Sequence, residues 1–332
     1  MMRARWRAAL SGMVIGLLGC LPTAARADAE SLRLLRLALR GPIVAFEGVQ
    51  QTQVAVGDRI ATATVRIRGD GTGAILREYS GASGYQLLQM GPQVWKKVGA
   101  DGWLPLPVTT DRDTDRAAAM IEANYRILVG KPEQRLGRRT IPIQIVPRQS
   151  CNPSRQLWLD PQTGLLLEDR LLAPDGRLRS ATTFTTLTLR PQPAALIQKP
   201  ARLLSDNAVG PFSFRPADSA EAVERQTGLP VPRPAYVPSG YRPTLYGVMT
   251  TGSGRQMPAV RYSDGLSAFT IYQRGRGPGG GGRGLGRGAD RQTRFQSDVQ
   301  QSIVEAQRAQ RSYLLIGDLA ESELLKVAAS LP

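Results

Sequence analysis

Apolar positions change period repeatedly along this chain, and each change marks an element. In residues 28–40, Leu32, Leu35 and Leu39 recur at helical spacing, with Arg33, Arg36 and Arg40 on the other side. That spacing predicts a helix docked on a sheet. From Ile43 the period falls to two. Residues 43–56 read as a long strand and Gly57-Asp58 as a turn. Residues 59–68 then alternate Ile60, Thr62, Thr64, Arg66 and Arg68 against Ala61, Ala63, Val65 and Ile67. Shorter strands are predicted at 74–80, 85–90 and 93–98, punctuated by Gly and Pro. An antiparallel meander with one apolar face accounts for this pattern.

Helical spacing returns over residues 111–129. Asp111, Asp113 and Asp115 suit the positive end of a helix dipole, and Ala118, Ile121, Tyr125 and Leu128 share a face. The three aspartates lack the Gly and the distal Glu of a calcium loop, so they are read as a helix start. Strands are predicted again at 139–147, 155–160, 165–173 and 177–190, with turns at 161–164 and 174–176. Asp160, at the edge of the first turn, is expected to satisfy local N–H groups. Glu168 and Asp169 are neighbours on a strand and face opposite ways, which makes them a poor acid/base pair. Residues 191–211 begin with Pro191, Pro193 and Pro200, carry no period, and are expected to be a linker.

A second unit is expected over 212–332. It has a helix at 217–226, an extended stretch held by Pro230, Pro232, Pro234 and Pro238, and strands at 241–250, 259–263, 267–274, 300–309 and 312–316. A final helix is capped by Asp318 with Glu321 as partner. The fold class is therefore α+β. An antiparallel sheet covered by helices spans 28–190, and a smaller α+β domain follows the linker.

Composition narrows the chemistry. The 332 residues contain no His and two Cys, Cys20 and Cys151. Zinc hydrolases and Ser-His-Asp or Cys-His enzymes are excluded in their usual form. No Gly-x-Ser-x-Gly elbow or phosphate-binding loop occurs, and no catalytic residue, metal or cofactor is expected. The formal charge of +16 suggests a nucleic-acid binder until its location is traced. Arg3, Arg5 and Arg7 precede a short apolar run, and Ala25-Arg-Ala27 is a small-x-small cleavage site. Residues 1–27 thus read as a signal peptide cleaved near Ala27, with a lipoprotein anchored through Cys20 as the alternative. Cleavage removes four arginines and leaves +12. An exported chain is not expected to meet nucleic acid, and no transmembrane span is expected after cleavage. Cys151 then has no partner within the chain and is expected to be buried.

The other concentration of charge is a Gly/Arg-rich insertion at 274–294, with six arginines against Asp290 alone. Gly277-Pro-Gly-Gly-Gly-Gly282 formally matches a dinucleotide fingerprint, but no strand-to-helix unit follows it. Either the insertion is a tolerated surface loop, or Arg276, Arg283, Arg287 and Arg291 bind an anionic surface or an acidic partner.

Four stretches carry a resemblance that covers most of the chain after the signal. They are Phe46-Glu-Gly48 with Arg77-Glu-Tyr79; Gly137 to Pro147 running into Leu157-Trp-Leu-Asp160 and Thr163-Gly-Leu-Leu166; Pro238-Ser-Gly-Tyr241 with Tyr262-Ser-Asp-Gly-Leu266; and Tyr313-Leu-Leu-Ile-Gly317 with the terminal helix. In this order they resemble the periplasmic sigma-E regulatory proteins of the RseB/MucB type. The N-terminal domain of that family shares the half-barrel of the LolA and LppX lipoprotein carriers. The Gly/Arg insertion departs from the family pattern just after the Tyr-Ser-Asp-Gly-Leu block, where a changed docking surface is expected.

The resemblance implies a periplasmic or extracytoplasmic binding protein, not an enzyme. Its partner would be the periplasmic domain of a membrane anti-sigma factor. Its signal would be an acyl lipid or lipopolysaccharide-like ligand. A lipid or lipoprotein carrier without an anti-sigma partner is the alternative. For the concave face of the half-barrel, Phe46, Val65, Ile67, Leu76, Leu88 and Trp95 are expected either to line a ligand site or to seal a core.

Overall fold

A computed structural model describes residues 28–56, 59–80, 84–90, 93–98, 102–106, 113–149, 152–190, 197, 212–251, 253–274, 302–308 and 311–332. The signal segment, the Gly57-Asp58 turn, Cys151, nearly all of the linker and the Gly/Arg insertion beyond Arg274 lie outside these residues.

The chain opens with helix α1 (Ala29–Arg40), then strands β1 (Ala45–Val56), β2 (Arg59–Asp70), β3 (Ala74–Tyr79), β4 (Tyr85–Met90), β5 (Gln93–Val98) and β6 (Leu104–Leu106). Helix α2 (Thr114–Asn124) leads into β7 (Tyr125–Val129), β8 (Glu133–Arg135), β9 (Arg138–Pro147), β10 (Ser154–Leu159), β11 (Leu166–Leu172) and β12 (Leu178–Arg190). These twelve strands form one sheet in the order β6-β5-β4-β3-β2-β1-β12-β11-β10-β9-β7, with β8 paired to β9. Every pairing is antiparallel. The long strands β1 and β12 meet at the centre, where Val54 pairs with Ser180 and Ala45 with Arg190. A register shift at Val49/Gln50 bends β1 there, as a bulge does.

Helix α1 starts where the Asp28 carboxylate accepts the Ser31 N–H at 2.7 Å, and stops at Gly41, whose φ is +80°. It buries Ser31, Leu34, Leu35 and Ala38, one residue round from the expected Leu32/Leu35/Leu39 stripe. Five leucines crowd this helix, so the apolar face is broad and its centre contacts the sheet. Leu32 and Leu39 pack at the margins. Helices α1 and α2 cover the β7–β10 end of the concave face through Leu34, Leu35, Ile121, Tyr125, Ile143 and Leu157.

The helix expected over 111–129 is shorter than its pattern. It ends at Asn124, and Tyr125 turns extended while its N–H still caps the Ile121 carbonyl. Residues 125–129 pair with β9 instead, Ile127 opposite Ile145. Four of the five are aromatic, β-branched or leucine, which suits a strand. Tyr125 is buried on either reading, but Leu128, expected on the packed face, is left exposed. Asp160 behaves as expected. Buried, it accepts from Gln162 N–H, the Thr163 hydroxyl and Arg138 Nε, and so locks the β10–β11 turn. Glu168 and Asp169 point to opposite faces: Glu168 pairs with Arg135 and Arg170, Asp169 with Arg155.

The second sheet comprises β13 (Phe212–Ala217), β14 (Arg242–Thr251), β15 (Gln256–Ser263), β16 (Ala268–Arg274), β17 (Ser302–Arg308) and β18 (Arg311–Gly317), in the order β13-β14-β15-β16-β18-β17. Helices α3 (Ala220–Thr227) and α4 (Glu321–Ala329) pack on it through Val223, Leu324 and Val327 against Val260, Ile271 and Leu315. Strand β13 has no counterpart in the sequence prediction. Asp318 does not cap α4: Ala320 stands at that position without a side-chain bond, and Asp318 donates its N–H to the Ala268 carbonyl. No helix among the described residues is long and apolar enough to cross a membrane. Among them no cluster of three His, Cys, Asp or Glu could hold a metal.

Candidate functional site

Where α1 and α2 stop, the concave face stays open. Strands β1 to β4, the turn before β11 and the end of α1 enclose a hollow of about 1080 Å³. That exceeds the usual range of ligand pockets, about 300–1000 Å³. Its floor is apolar: Phe46, Ile67, Leu165 and Phe184 line it and belong to one cluster, with Phe46 and Phe184 edge to face at 6.0 Å. Polar groups enter at set points, including Gln50, Thr52, Thr182 and Gln89.

Of the six residues expected on this face, Phe46, Val65 and Ile67 line the hollow. Leu76, Leu88 and Trp95 do not. They pair with one another across β3, β4 and β5 and belong to the opposite face. The reason is register. The Asp70–Gly73 turn, in which the Asp70 carboxylate accepts the N–H groups of Thr72 and Ala74, sets Ile67 opposite Arg77. Ile75, Arg77 and Tyr79 therefore face inward, followed by Tyr85, Leu87 and Gln89 on β4. Ile75-Leu76 and Leu87-Leu88 offer an apolar residue to either face, so alternation alone leaves the phase of β3 and β4 open, and with it that of β5. The turn length is the signal that could have corrected it. Arg276, Arg283, Arg287 and Arg291 lie outside the described residues.

Tyr79 and Tyr85 stack at 4.4 Å, and the Lys96 ammonium sits 4.3 Å above the Tyr85 ring. Burial pushes the Tyr79 phenol above its usual pKa, offset by Arg77. Burial also pulls the Arg77 guanidinium down. Asp169, on the far wall, is neutralised: Arg155 donates to both its oxygens, at 2.8 and 2.5 Å.

A second polar centre joins the two sheets. Asp264 is fully buried in the β15–β16 turn and accepts the N–H groups of Leu266 and Ser267 at 3.0 and 2.8 Å. Its other oxygen accepts the Tyr125 hydroxyl and, at 3.3 Å, the Asn152 amide. Asn124 donates to the carbonyls of Gly240 and Asp264, and Asn152 to that of Ser239. Gly265, at φ +99°, lies so close to α2 that a Cβ would stand 2.8 Å from the Ile121 nitrogen. Burial raises the pKa of Asp264, against the pull of these donors. Beside it, burial and then the Asp264 charge push the Tyr241 phenol well above its usual range. Farther along, Arg179 donates to the carbonyls of Asp318 and Leu319. The Asp318 carboxyl, raised by burial, is drawn back by Arg261, Arg179 and Arg155. The Pro238–Tyr241 and Tyr262–Leu266 blocks, noticed as sequence motifs, thus build the joint.

Residues 104–203 match the family model of the MucB/RseB N-terminal domain. A search of curated proteins by sequence found no match. Among solved structures, the Pseudomonas aeruginosa MucA/MucB complex is similar at a TM-score of 0.58 and 17% identity, over 92% of this chain and 99% of that one. A crystal structure of MucB in complex with MucA(peri) gives 0.55 and 18% over 92% and 98%, and one of MucB gives 0.50 and 19% over 92% and 99%. Residues 104–203 thus carry the signature of the MucB/RseB N-terminal domain, and the chain as a whole shares the fold of MucB.

Proposed function

We propose that this protein is an exported regulator, not an enzyme, that binds the periplasmic domain of a membrane anti-sigma factor. The observation that carries this reading is the coincidence of the family's N-terminal signature with a likeness to MucB over both sheets. Two of the similar structures are complexes of MucB with MucA, which supports a partner of the same kind here. On this reading the mature chain is two domains, 28–190 and 212–332, joined by the linker and held by the Asp264 joint. The periplasm is its compartment. The test is a pull-down with the periplasmic part of the cognate anti-sigma factor. Association at micromolar concentration is expected, and its absence overturns the reading.

The open hollow supports a further element, the sensing of a lipid-like envelope signal. Its apolar floor and scattered polar groups are those of a pocket for an amphiphile. Carriage of lipid without an anti-sigma partner is the second reading, and the same hollow favours it. Mass spectrometry of ligand extracted from the purified protein separates the two. Stoichiometric acyl lipid together with a failed pull-down marks a carrier.

A further inference from the structure

The charged groups lining the hollow are Arg40, Arg77 and Asp169. Asp169 is spent on Arg155. Arg77 is in the opposite position. It projects from the middle of β3 between Ile67 and Leu87 of the neighbouring strands, and its nearest polar partner is Gln89 Oε1, at 3.3 Å from Nη1. Among the described residues no carboxylate pairs with it. A guanidinium on an apolar floor presents a fork of N–H donors that one amide oxygen cannot satisfy. The side chain is half-buried, and desolvation lowers its pKa. The native chain nevertheless keeps an arginine where Leu, Met or Gln would pack without that cost.

We infer that Arg77 is an anion-binding residue inside the hollow, which takes an amphiphile whose acyl chain lies on the Phe46–Phe184 floor and whose carboxylate or phosphate is held by the guanidinium. This rests on the reading of the hollow as a lipid site and names the ligand's chemical class. Arginine suits the task because its fork matches either oxyanion in two parallel hydrogen bonds. Gln89, already bonded to Nη1, orients the fork. Carbon chain and anion are both required: the Phe46–Phe184 cluster is apolar, and Arg77 stands beside it while Arg40 is exposed at the end of α1.

The experiment uses the full mature chain, with the fluorescent fatty acid cis-parinaric acid and its uncharged methyl ester as probes. The wild type is expected to bind the acid at least about tenfold more tightly than the ester, the scale of one charge-assisted pair. Arg77→Gln is expected to erase that preference while still binding the ester, and Arg77→Lys to retain part of it. Arg77→Gln removes a charge that no carboxylate among the described residues pairs with, so it is expected to melt no lower than the wild type. Equal binding of acid and ester by the wild type, or a preference that survives in Arg77→Gln, overturns the inference and leaves the lipid site standing. Binding of neither probe overturns both. Competition by palmitate and by lysophosphatidic acid then distinguishes a carboxylate head from a phosphate.

Discussion

Asp264 ties the two sheets together at one buried carboxylate. Its two oxygens receive four donors, two from its own turn and two, Tyr125 and Asn152, from the N-terminal part of the chain. Asp264→Asn keeps the shape but replaces an acceptor with a donor, facing Tyr125 and Asn152. Unsatisfied buried groups of this kind cost about 1–3 kcal/mol, so a lower urea midpoint is expected. The substitution also changes the pH dependence. Because burial raises the folded pKa of Asp264 above 3.8, the native state holds that proton more firmly than the unfolded chain does. The stabilisation is full below the unfolded value and is lost as pH rises through the folded one. Lowered carboxylates elsewhere, such as Asp175 and Glu221, act in the opposite sense. The wild type minus Asp264→Asn difference isolates the Asp264 contribution. That difference should shrink as pH rises from just below the usual aspartate range, and a flat difference would refute the assignment. Gly265→Ala offers a second probe of the same joint: its Cβ meets the backbone of α2, so docking of the two sheets should weaken without loss of either core.

Among elements, β2, β3 and β4 decide the site. Their existence and ends are legible from alternation and Gly/Pro punctuation; β4 and β5 fall at the predicted residues. Their phase is not legible from hydropathy alone, because Ile75-Leu76 and Leu87-Leu88 offer apolar side chains to both faces. The phase comes from the β2–β3 turn, which sets Arg77 beside Ile67. Leu87→Asp tests it. Leu87 is half-buried on the floor of an open hollow, so the variant is expected to stay folded, at a cost of no more than about 2 kcal/mol, and to lose acyl binding. Unfolding by this change, measured by circular dichroism, would mark a sealed core. Strand β7 shows a different ambiguity. Ala118, Ile121 and Tyr125 share a helical face, and only the partner β9 makes Tyr125 the first residue of a strand.

For the whole molecule, the +16 charge loses its first meaning. Four positive charges belong to the predicted signal, and the insertion at 274–294 supplies a further excess. On the proposal that Arg276, Arg283, Arg287 and Arg291 meet an anionic surface, deleting residues 277–288 should leave thermal melting unchanged and weaken binding to anionic phosphatidylglycerol vesicles. The effect should be larger at low salt, because surface attraction is screened over about 10 Å at 0.1 M. Unchanged binding would leave the insertion a neutral surface loop. Arg274 itself is tied to Glu305 across the sheet, at 3.6 Å, and so belongs to the scaffold.

The sequence by itself determined most of the strands with their turns, and the absence of histidine chemistry. These depend on neighbours within a few residues: side-chain period, a capping aspartate, a glycine at a turn. Only the tertiary structure decided which face is hollow, and that the Pro238–Tyr241 and Tyr262–Leu266 blocks are a joint. Asn124 meets Gly240, Asn152 meets Asp264 and Tyr125 meets Asp264 across 116, 112 and 139 positions of chain. No local period encodes such pairings. They form because a buried carboxylate must find donors, and the nearest suitable ones stand on the other sheet.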